Sequence, residues 1–125
     1  MRLLLDTNAV IWALLDDPTL TSEARAAIGN RQNVVAVSAA SVWEISIKHR
    51  VGKLGPPVND VVGDLARRFT PLPITLEHAW AAGALPLHHR DPFDRLLVAQ
   101  AQLEGLTIVT RDPRIARYQV AILAA

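Results

Sequence analysis

Two acidic residues of this 125-residue chain follow short apolar runs. Asp6 comes directly after the run 3–5, and Asp112 lies three residues after the run 107–109. A short continuous apolar run closed by polar residues is typical of a strand buried on both faces. Both acids therefore stand just beyond the carboxyl end of a predicted strand, which is where parallel α/β sheets bind their ligands.

Two further acidic residues, Glu44 and Asp94, lie on apolar stripes of predicted helices. Apolar residues stand four positions before Glu44 and three and seven positions after it, and also three and four positions after Asp94. Residues at these spacings share one face of a helix, and an unpaired carboxylate is costly where water is scarce. We therefore treat Asp6, Glu44, Asp94 and Asp112 as candidates for one shared site.

Each of these acids also has a structural interpretation. Asp6 and Asp112 could each cap a following helix. Ser41-x-x-Glu44 matches a capping box, and residues 91–94 match an N-cap, a proline at the first helical position and an acid favoured by the helix dipole. Taken singly, each acid favours the structural interpretation. Taken together, their convergence on one edge of one sheet favours a site, because capping does not require it.

The chemistry of such a site follows from its ligands. Clustered carboxylates repel one another unless a cation lies between them. The chain has no cysteine, and oxygen ligands suit Mg²⁺, with Mn²⁺ as a substitute. Acids around such ions commonly serve phosphate chemistry, in which the ion activates a water and neutralises the charge that develops on a phosphodiester. The sequence thus predicts metal-dependent hydrolysis of a nucleic-acid backbone.

Four segments that contain these acids resemble the motifs of the PIN-domain family, and most closely those of the VapC-like ribonuclease toxins of toxin–antitoxin pairs. They are LLDTN at 4–8, SAASVWEI at 38–45, DPFDRLLVAQA at 91–101 and TRD at 110–112. The third motif is long and specific, and all four occur in the order and spacing of the family.

The resemblance implies a metal-dependent endoribonuclease with Asp6, Glu44, Asp94 and Asp112 as its catalytic acids. It makes Asp6 and Asp94 the metal ligands, while Glu44 and Asp112 complete the pocket. It also implies an RNA substrate, a homodimer and a cognate antitoxin protein that holds the enzyme inactive.

The elements that must position these acids alternate along the chain. Apolar runs predict strands at 3–5, 34–37, 107–109 and 119–123. Helical spacing predicts helices near 7–16, 22–30, 39–52, 58–69, 76–84 and 92–104, and turns are expected at 52–58 and 70–73. Strands that alternate with helices indicate a three-layer α/β/α PIN-like fold with a mainly parallel sheet of four to five strands. We expect one domain over residues 1–125.

Composition excludes several other classes. Half of the residues are apolar and 20% are charged, which is far from the composition of disordered chains. The longest uncharged apolar run, 9–15, is too short for a membrane helix, and Asp6 interrupts the apolar start before a signal peptide could form. We therefore expect a cytoplasmic protein with no membrane contact. The formal charge of +1 neither predicts nor excludes a polyanionic partner.

The histidines and tryptophans are expected to have structural positions rather than catalytic roles. We expect the His88-His89 pair to lie in an exposed loop, because adjacent residues of a regular element cannot face one site. His49 and His78 are expected at the surface or its boundary, and Asp91 is expected to cap a helix. Three tryptophans in apolar helical stretches are expected to pack in the core or an interface; they are Trp12, Trp43 and Trp80.

Basic residues near the acids could contact phosphates or form an ordinary solvated face. Seven belong to this group: Lys48, Arg50, Lys53, Arg67, Arg68, Arg90 and Arg95. Lys48, four positions after Glu44, could also pair with that carboxylate.

Two other functions compete with a nuclease. A receiver-like phosphoacceptor domain would need paired acids after the first strand and a lysine at the end of a late strand, but no lysine occurs after Lys53. A catalytically silent PIN-like interaction module would lack one of the acids, and all four are present. The sequence therefore favours an active enzyme.

Overall fold

Five parallel strands form the centre of the structure, a computed structural model that describes residues 1–53 and 60–125. The strand order is β3-β2-β1-β4-β5. The strands are β1 (Arg2–Leu5), β2 (Val34–Ser38), β3 (Thr70–Leu72), β4 (Thr107–Thr110) and β5 (Ile122–Ala124). The helices are α1 (Thr7–Leu14), α2 (Ser22–Gly29), α3 (Ala39–Arg50), α4 (Val61–Arg68), α5 (Leu76–Ala84) and α6 (Pro92–Glu104), with a 3₁₀ turn at Ile115–Arg117.

β1 is the central strand and is buried on both faces. Leu3 and Leu5 belong to the core beneath one face, together with Val10 of α1. Leu4 belongs to the core of the other face, where it meets Leu97 of α6. Side chains alternate between the faces of a strand, so a strand covered on both sides must be apolar throughout. The predicted three-layer α/β/α arrangement is thereby confirmed.

The predicted turn at 70–73 is wrong. Thr70–Leu72 form β3, which pairs in parallel with β2 and places Pro71 opposite Val37. Proline cannot donate a ladder hydrogen bond and is therefore confined to edge strands, which is the position of β3. The last strand is also displaced, since β5 occupies Ile122–Ala124 rather than 119–123.

Predictions between α3 and α4 are tested in part. α4 begins at Val61, whereas most of the predicted turn at 52–58 and the start of the predicted helix at 58–69 lie outside the described residues. Within residues 1–53 and 60–125, no helix is long and apolar enough to cross a membrane.

The topology brings the motifs to one edge of the sheet. β1 pairs with β4, so Leu5 lies opposite Val109, and the residues that follow these two strands are neighbours. α3 begins directly after β2, on the other side of β1. The strand order also differs from the 2-1-3-4-5 order of receiver domains, so the fold does not support the receiver alternative.

Candidate metal centre

Asp6 is a buried helix cap that faces other carboxylates. It is 5% exposed; its Oδ1 accepts the backbone N–H of Ala9 at 2.8 Å, and its Oδ2 accepts the hydroxyl of Thr110 at 2.5 Å. Burial raises the pKa of Asp6 above its usual value, the two hydrogen bonds lower it, and the charges of Asp112 and Glu44 raise it again. The net effect is a raised pKa. Asp6 therefore has two roles: it caps α1 through Oδ1, and it lies near enough to Asp112 and Glu44 for their charges to act on it.

Glu44 presents a buried oxygen to this cluster. The cap of α3 is Ser38, whose hydroxyl accepts the N–H of Ala40 at 3.0 Å, so the capping-box interpretation of Ser41 and Glu44 is wrong. Oε2 of Glu44 lies 3.7 Å from Nζ of Lys48. Oε1 is buried and has no hydrogen-bond partner among the described residues. A buried acceptor without a donor is costly, and a bound cation would satisfy it.

Asp94 is the third residue of α6, which Asp91 caps by accepting two backbone N–H groups at 2.8 and 3.1 Å. The prediction for Asp91 is thereby confirmed. Burial is the largest influence on Asp94 and the charge of Asp91 adds to it, so the pKa of Asp94 is raised to about 7. His89 opposes this shift, while Asp6 and Glu44 increase it. The raised pKa of Asp94 thus comes first from burial and then from the neighbouring carboxylates.

Asp112 is held by hydrogen bonds on both oxygens. Oδ1 accepts the backbone N–H of Arg114 at 2.8 Å, and Oδ2 lies 2.9 Å from Nε2 of His89. Burial raises the pKa of Asp112, but the hydrogen bonds from Arg114 and His89 outweigh it and leave the pKa below its usual value. The backbone N–H of Asp112 also donates to the Thr110 hydroxyl at 3.0 Å.

His89 contradicts the expectation of an exposed loop. It is 4% exposed, and its Nε2 lies 3.0 Å from Oδ2 of Asp94 and 2.9 Å from Oδ2 of Asp112. His88 turns the other way and packs edge-on against the ring of Tyr118. His89 therefore faces the acids, and no periodic pattern around residues 88–89 indicates this orientation.

His78 also differs from its expectation, because it is 1% exposed. Its Nδ1 accepts the backbone N–H of Thr75 at 3.0 Å, and its Nε2 lies 2.9 Å from Oε1 of Glu104. This hydrogen bonding joins α5 to α6 and lies apart from the carboxylate cluster.

The four predicted acids line one cavity of about 400 Å³ together with His89. Lys48, Arg111 and Arg114 supply positive charge to the same cavity. The structure therefore brings together every acid that the motifs singled out, and adds a histidine and two arginines that sequence reasoning missed.

Most of the basic residues considered for phosphate contact have other partners or lie away from the cavity. Arg95 donates to main-chain carbonyls between residues 82 and 89, Arg68 donates to the carbonyl of Ala13, and Arg67 pairs with Asp64. Lys48 lines the cavity, whereas three members of the set are exposed and do not line it; they are Arg50, Lys53 and Arg90.

The tryptophans are less buried than expected for core residues. Trp43 is 63% exposed and packs edge-on against Phe93, and Trp80 is 86% exposed. Trp12 is half-buried beneath the guanidinium of Arg111, 4.3 Å from the ring centre. An interface role for the two exposed residues stays a prediction.

Comparison with known proteins agrees with this arrangement. The sequence profile of the PIN domain matches residues 3–121. The chain belongs to the PIN domain family. The matched range of this PIN domain includes all four acids of the cavity.

Individual proteins match this chain over part of its length or at low sequence identity. This PIN domain is 41% identical to Ribonuclease VapC16 of Mycobacterium tuberculosis over 63 residues, which is 49% of this chain and 45% of that protein. Its structure matches DNA-bound VapBC from Salmonella typhimurium with a TM-score of 0.71 and 19% identity, over 98% of this chain and 97% of that chain. It matches a toxin–antitoxin complex from Klebsiella pneumoniae with a TM-score of 0.63 and 21% identity, over 97% and 95% of the two chains.

Proposed function

We propose that this PIN domain is a metal-dependent endoribonuclease that hydrolyses RNA phosphodiester bonds, with Asp6, Glu44, Asp94 and Asp112 as its catalytic acids. The observation that carries the proposal is the convergence of these four carboxylates in one cavity, where Oε1 of Glu44 is buried and has no donor within residues 1–53 and 60–125. The likeness to a ribonuclease over about half of the chain supports RNA as the substrate class.

The residues of the cavity fit a divalent cation. The donors are carboxylate oxygens, which favour Mg²⁺ and accept Mn²⁺. Asp6 and Asp94, whose pKa values are raised without a cation, would be its ligands, and Glu44 and Asp112 would complete the pocket. When bound, such an ion supplies positive charge that offsets the charge developing on the phosphodiester and acidifies a water.

The chain's own residues prepare the cavity for this chemistry. The Thr110 hydroxyl fixes the orientation of Asp6, and the backbone N–H of Arg114 fixes that of Asp112. The side chains of Lys48 and Arg114 place positive charge at the cavity, where it would attract the phosphates of a nucleic-acid strand.

The biological role follows as part of the same proposal. The chain would act as the toxin of a toxin–antitoxin pair, a homodimer in the cytoplasm that a cognate antitoxin holds inactive, with residues 1–125 forming one nuclease domain. The motif resemblance to VapC-like toxins supports this role, and so does the fold shared with proteins solved in VapBC and toxin–antitoxin complexes.

RNA cleavage by the purified protein tests the proposal. We expect cleavage of single-stranded or loop RNA with Mg²⁺ or Mn²⁺ and none in excess EDTA. Asp94→Asn should lower the rate at least a hundredfold, because losing a metal ligand costs several kcal/mol in the transition state. Glu77→Gln, at an exposed acid of α5, is the matched control and should cleave as the unmodified protein does. Full cleavage in EDTA would exclude the metal mechanism, and an Asp94→Asn rate within tenfold would exclude Asp94 as a ligand.

A further inference from the structure

His89 is a buried residue beside the acids for which the proposed function has no role. Its backbone is fixed on both sides: its N–H donates to Oη of Tyr118 at 3.0 Å, and its carbonyl accepts Nη1 of Arg95 at 3.3 Å. Tyr118 is itself anchored, because its hydroxyl donates to the carbonyl of Pro86 at 2.6 Å. The backbone that carries the imidazole is therefore held by Tyr118 and Arg95.

The two ring nitrogens of His89 have different partners. The backbone N–H of Asp91 donates to Nδ1 at 3.2 Å. Nδ1 must then carry a lone pair, and a neutral ring must carry its hydrogen on Nε2. Nε2 lies 2.9 Å from Oδ2 of Asp112 and 3.0 Å from Oδ2 of Asp94. Its single N–H is donated to Asp112, and Oδ2 of Asp94 lies close to the same nitrogen.

This hydrogen-bond pattern disfavours Nε2 as a metal ligand. A ligating imidazole needs a lone pair on the ligating nitrogen, which would move the hydrogen to Nδ1. There it would point at the backbone N–H of Asp91, and two donors would face each other. Candidate ligand atoms of His89, Asp94 and Asp112 all lie within 4.8 Å of one another. In this group, however, the imidazole is a hydrogen-bond donor and only the carboxylates offer free lone pairs to a cation.

We infer that His89 is a positioning residue of the carboxylate site: it donates its Nε2–H to Asp112, packs the same nitrogen against Oδ2 of Asp94, and stays outside the coordination of Mg²⁺. The inference rests on the proposed function, since it assigns a role within the same site. Residues that orient ligating groups in this way commonly account for tenfold to a hundredfold in metal affinity.

Nitrogen NMR of histidine-labelled protein tests the hydrogen position directly. We expect the hydrogen of His89 on Nε2 both without metal and with Mg²⁺, with the signals assigned by their loss in His89→Gln. Electron spin-echo measurements on Mn²⁺-loaded protein should show no coupling to a directly bonded nitrogen. A hydrogen on Nδ1 in the Mg²⁺ form, or a nitrogen coupling that disappears in His89→Gln, would make His89 a ligand and overturn the inference.

Calorimetric Mg²⁺ titrations test the positioning role. His89→Ala should bind Mg²⁺ tenfold to a hundredfold more weakly, and His89→Gln, whose amide N–H can replace Nε2–H, should recover most of the loss. His49→Gln, at an exposed histidine, is the control and should bind as the unmodified protein does. If His89→Ala does not fold, as judged by circular dichroism, the NMR result and His89→Gln decide.

The outcomes separate this inference from the proposed function. Unchanged Mg²⁺ affinity in His89→Ala, with RNA cleavage by the unmodified protein intact, overturns the role of His89 alone. Failure of the unmodified protein to bind Mg²⁺ overturns the proposed metal site, and the positioning role fails with it.

Discussion

Thr110, the last residue of β4, donates its hydroxyl to Oδ2 of Asp6, the residue that follows β1. The same hydroxyl oxygen accepts the backbone N–H of Asp112 at 3.0 Å. One buried side chain therefore connects two acids that follow neighbouring strands. The first and fourth motifs are linked through this hydroxyl.

Replacing that hydroxyl should disturb both acids. Thr110→Val keeps the shape but removes the partner of a buried carboxylate oxygen and of a part-buried N–H. We therefore expect a loss of about 1–3 kcal/mol in the free energy of unfolding near neutral pH. The pKa of Asp6 should rise further and Mg²⁺ affinity should fall, because a hydrogen bond that favours the charged form is lost. Thr110→Ser, which keeps the hydroxyl, is the control. Denaturant unfolding and calorimetry measure both effects, and equal values for Val and Ser would contradict the assigned role.

The raised pKa of Asp94 predicts a pH dependence of stability without metal. The pKa of Asp94 is about 7 in the folded state and near 4 in the unfolded state. Between these two pH values the folded state keeps a proton that the unfolded state has lost, so the free energy of unfolding falls as pH rises. Asp94→Asn should remove this part of the slope and, in EDTA above pH 7, melt at the same temperature as the unmodified protein or higher. Melting curves from pH 4 to pH 8 check this. A lower melting temperature for the variant would favour the structural interpretation of Asp94.

Added Mg²⁺ should reverse that order. A ligand that binds the folded state stabilises it by RT ln(1 + [L]/Kd), about 2.7 kcal/mol at a hundredfold excess over Kd. The unmodified protein should gain this stability, and Asp94→Asn should gain much less. Mg²⁺ affinity should also rise as pH approaches about 7, by up to tenfold per pH unit, because the ion must displace the proton of Asp94. Titrations in buffers of different ionisation enthalpy would reveal the released proton, and a pH-independent affinity would contradict its displacement.

Arg95 should prove structural rather than RNA-binding. Its guanidinium donates to the carbonyls of Ala82, Leu85 and Pro86 and so holds the segment that carries His89. Arg95→Met should lower the free energy of unfolding by about 2 kcal/mol or more, since hydrogen bonds from a charged donor are worth about 1.5–3 kcal/mol each. Arg31→Met, at an exposed arginine, is the control and should change stability by less than about 0.5 kcal/mol. A variant as stable as this control would return Arg95 to the candidates for phosphate binding.

Expression in a bacterial host tests the biological role. The proposed function predicts growth arrest and its relief by Glu44→Gln. It also predicts that a small antitoxin is encoded beside this chain and that co-expressing it relieves the arrest. Ends of cellular RNA sequenced shortly after induction would identify the cleavage sites. Harmless expression of folded protein, with no difference between the unmodified chain and Glu44→Gln, would contradict a toxin.

An element could be predicted from the sequence when its own residues determine its structure. Leu3, Leu4 and Leu5 are apolar because both faces of β1 are covered, so the central strand can be identified from its own residues. β3 could not, because Pro71 conceals a strand whose partner is more than thirty residues away in sequence.

The same distinction applies to the candidate site, where the four acids were predicted and His89 was not. The four acids were found because each lies in a local motif that begins a helix or ends a strand. His89 contacts Tyr118 and Asp112, which lie 29 and 23 residues later in the sequence and come close to it only in the folded chain. No pattern around residue 89 contains that information, since the segment is irregular and its contacts are set by the tertiary fold.

The two edge strands limit how another protein can bind. β3 and β5 are three residues long, and β3 contains a proline that has no N–H to offer. A peptide that extended the sheet by strand addition would gain few main-chain hydrogen bonds at either edge. Under the proposed function, an inhibitory partner would have to obtain its affinity from side-chain contacts with the helices and the cavity. Its recognition of this chain would then depend on the identity of surface residues.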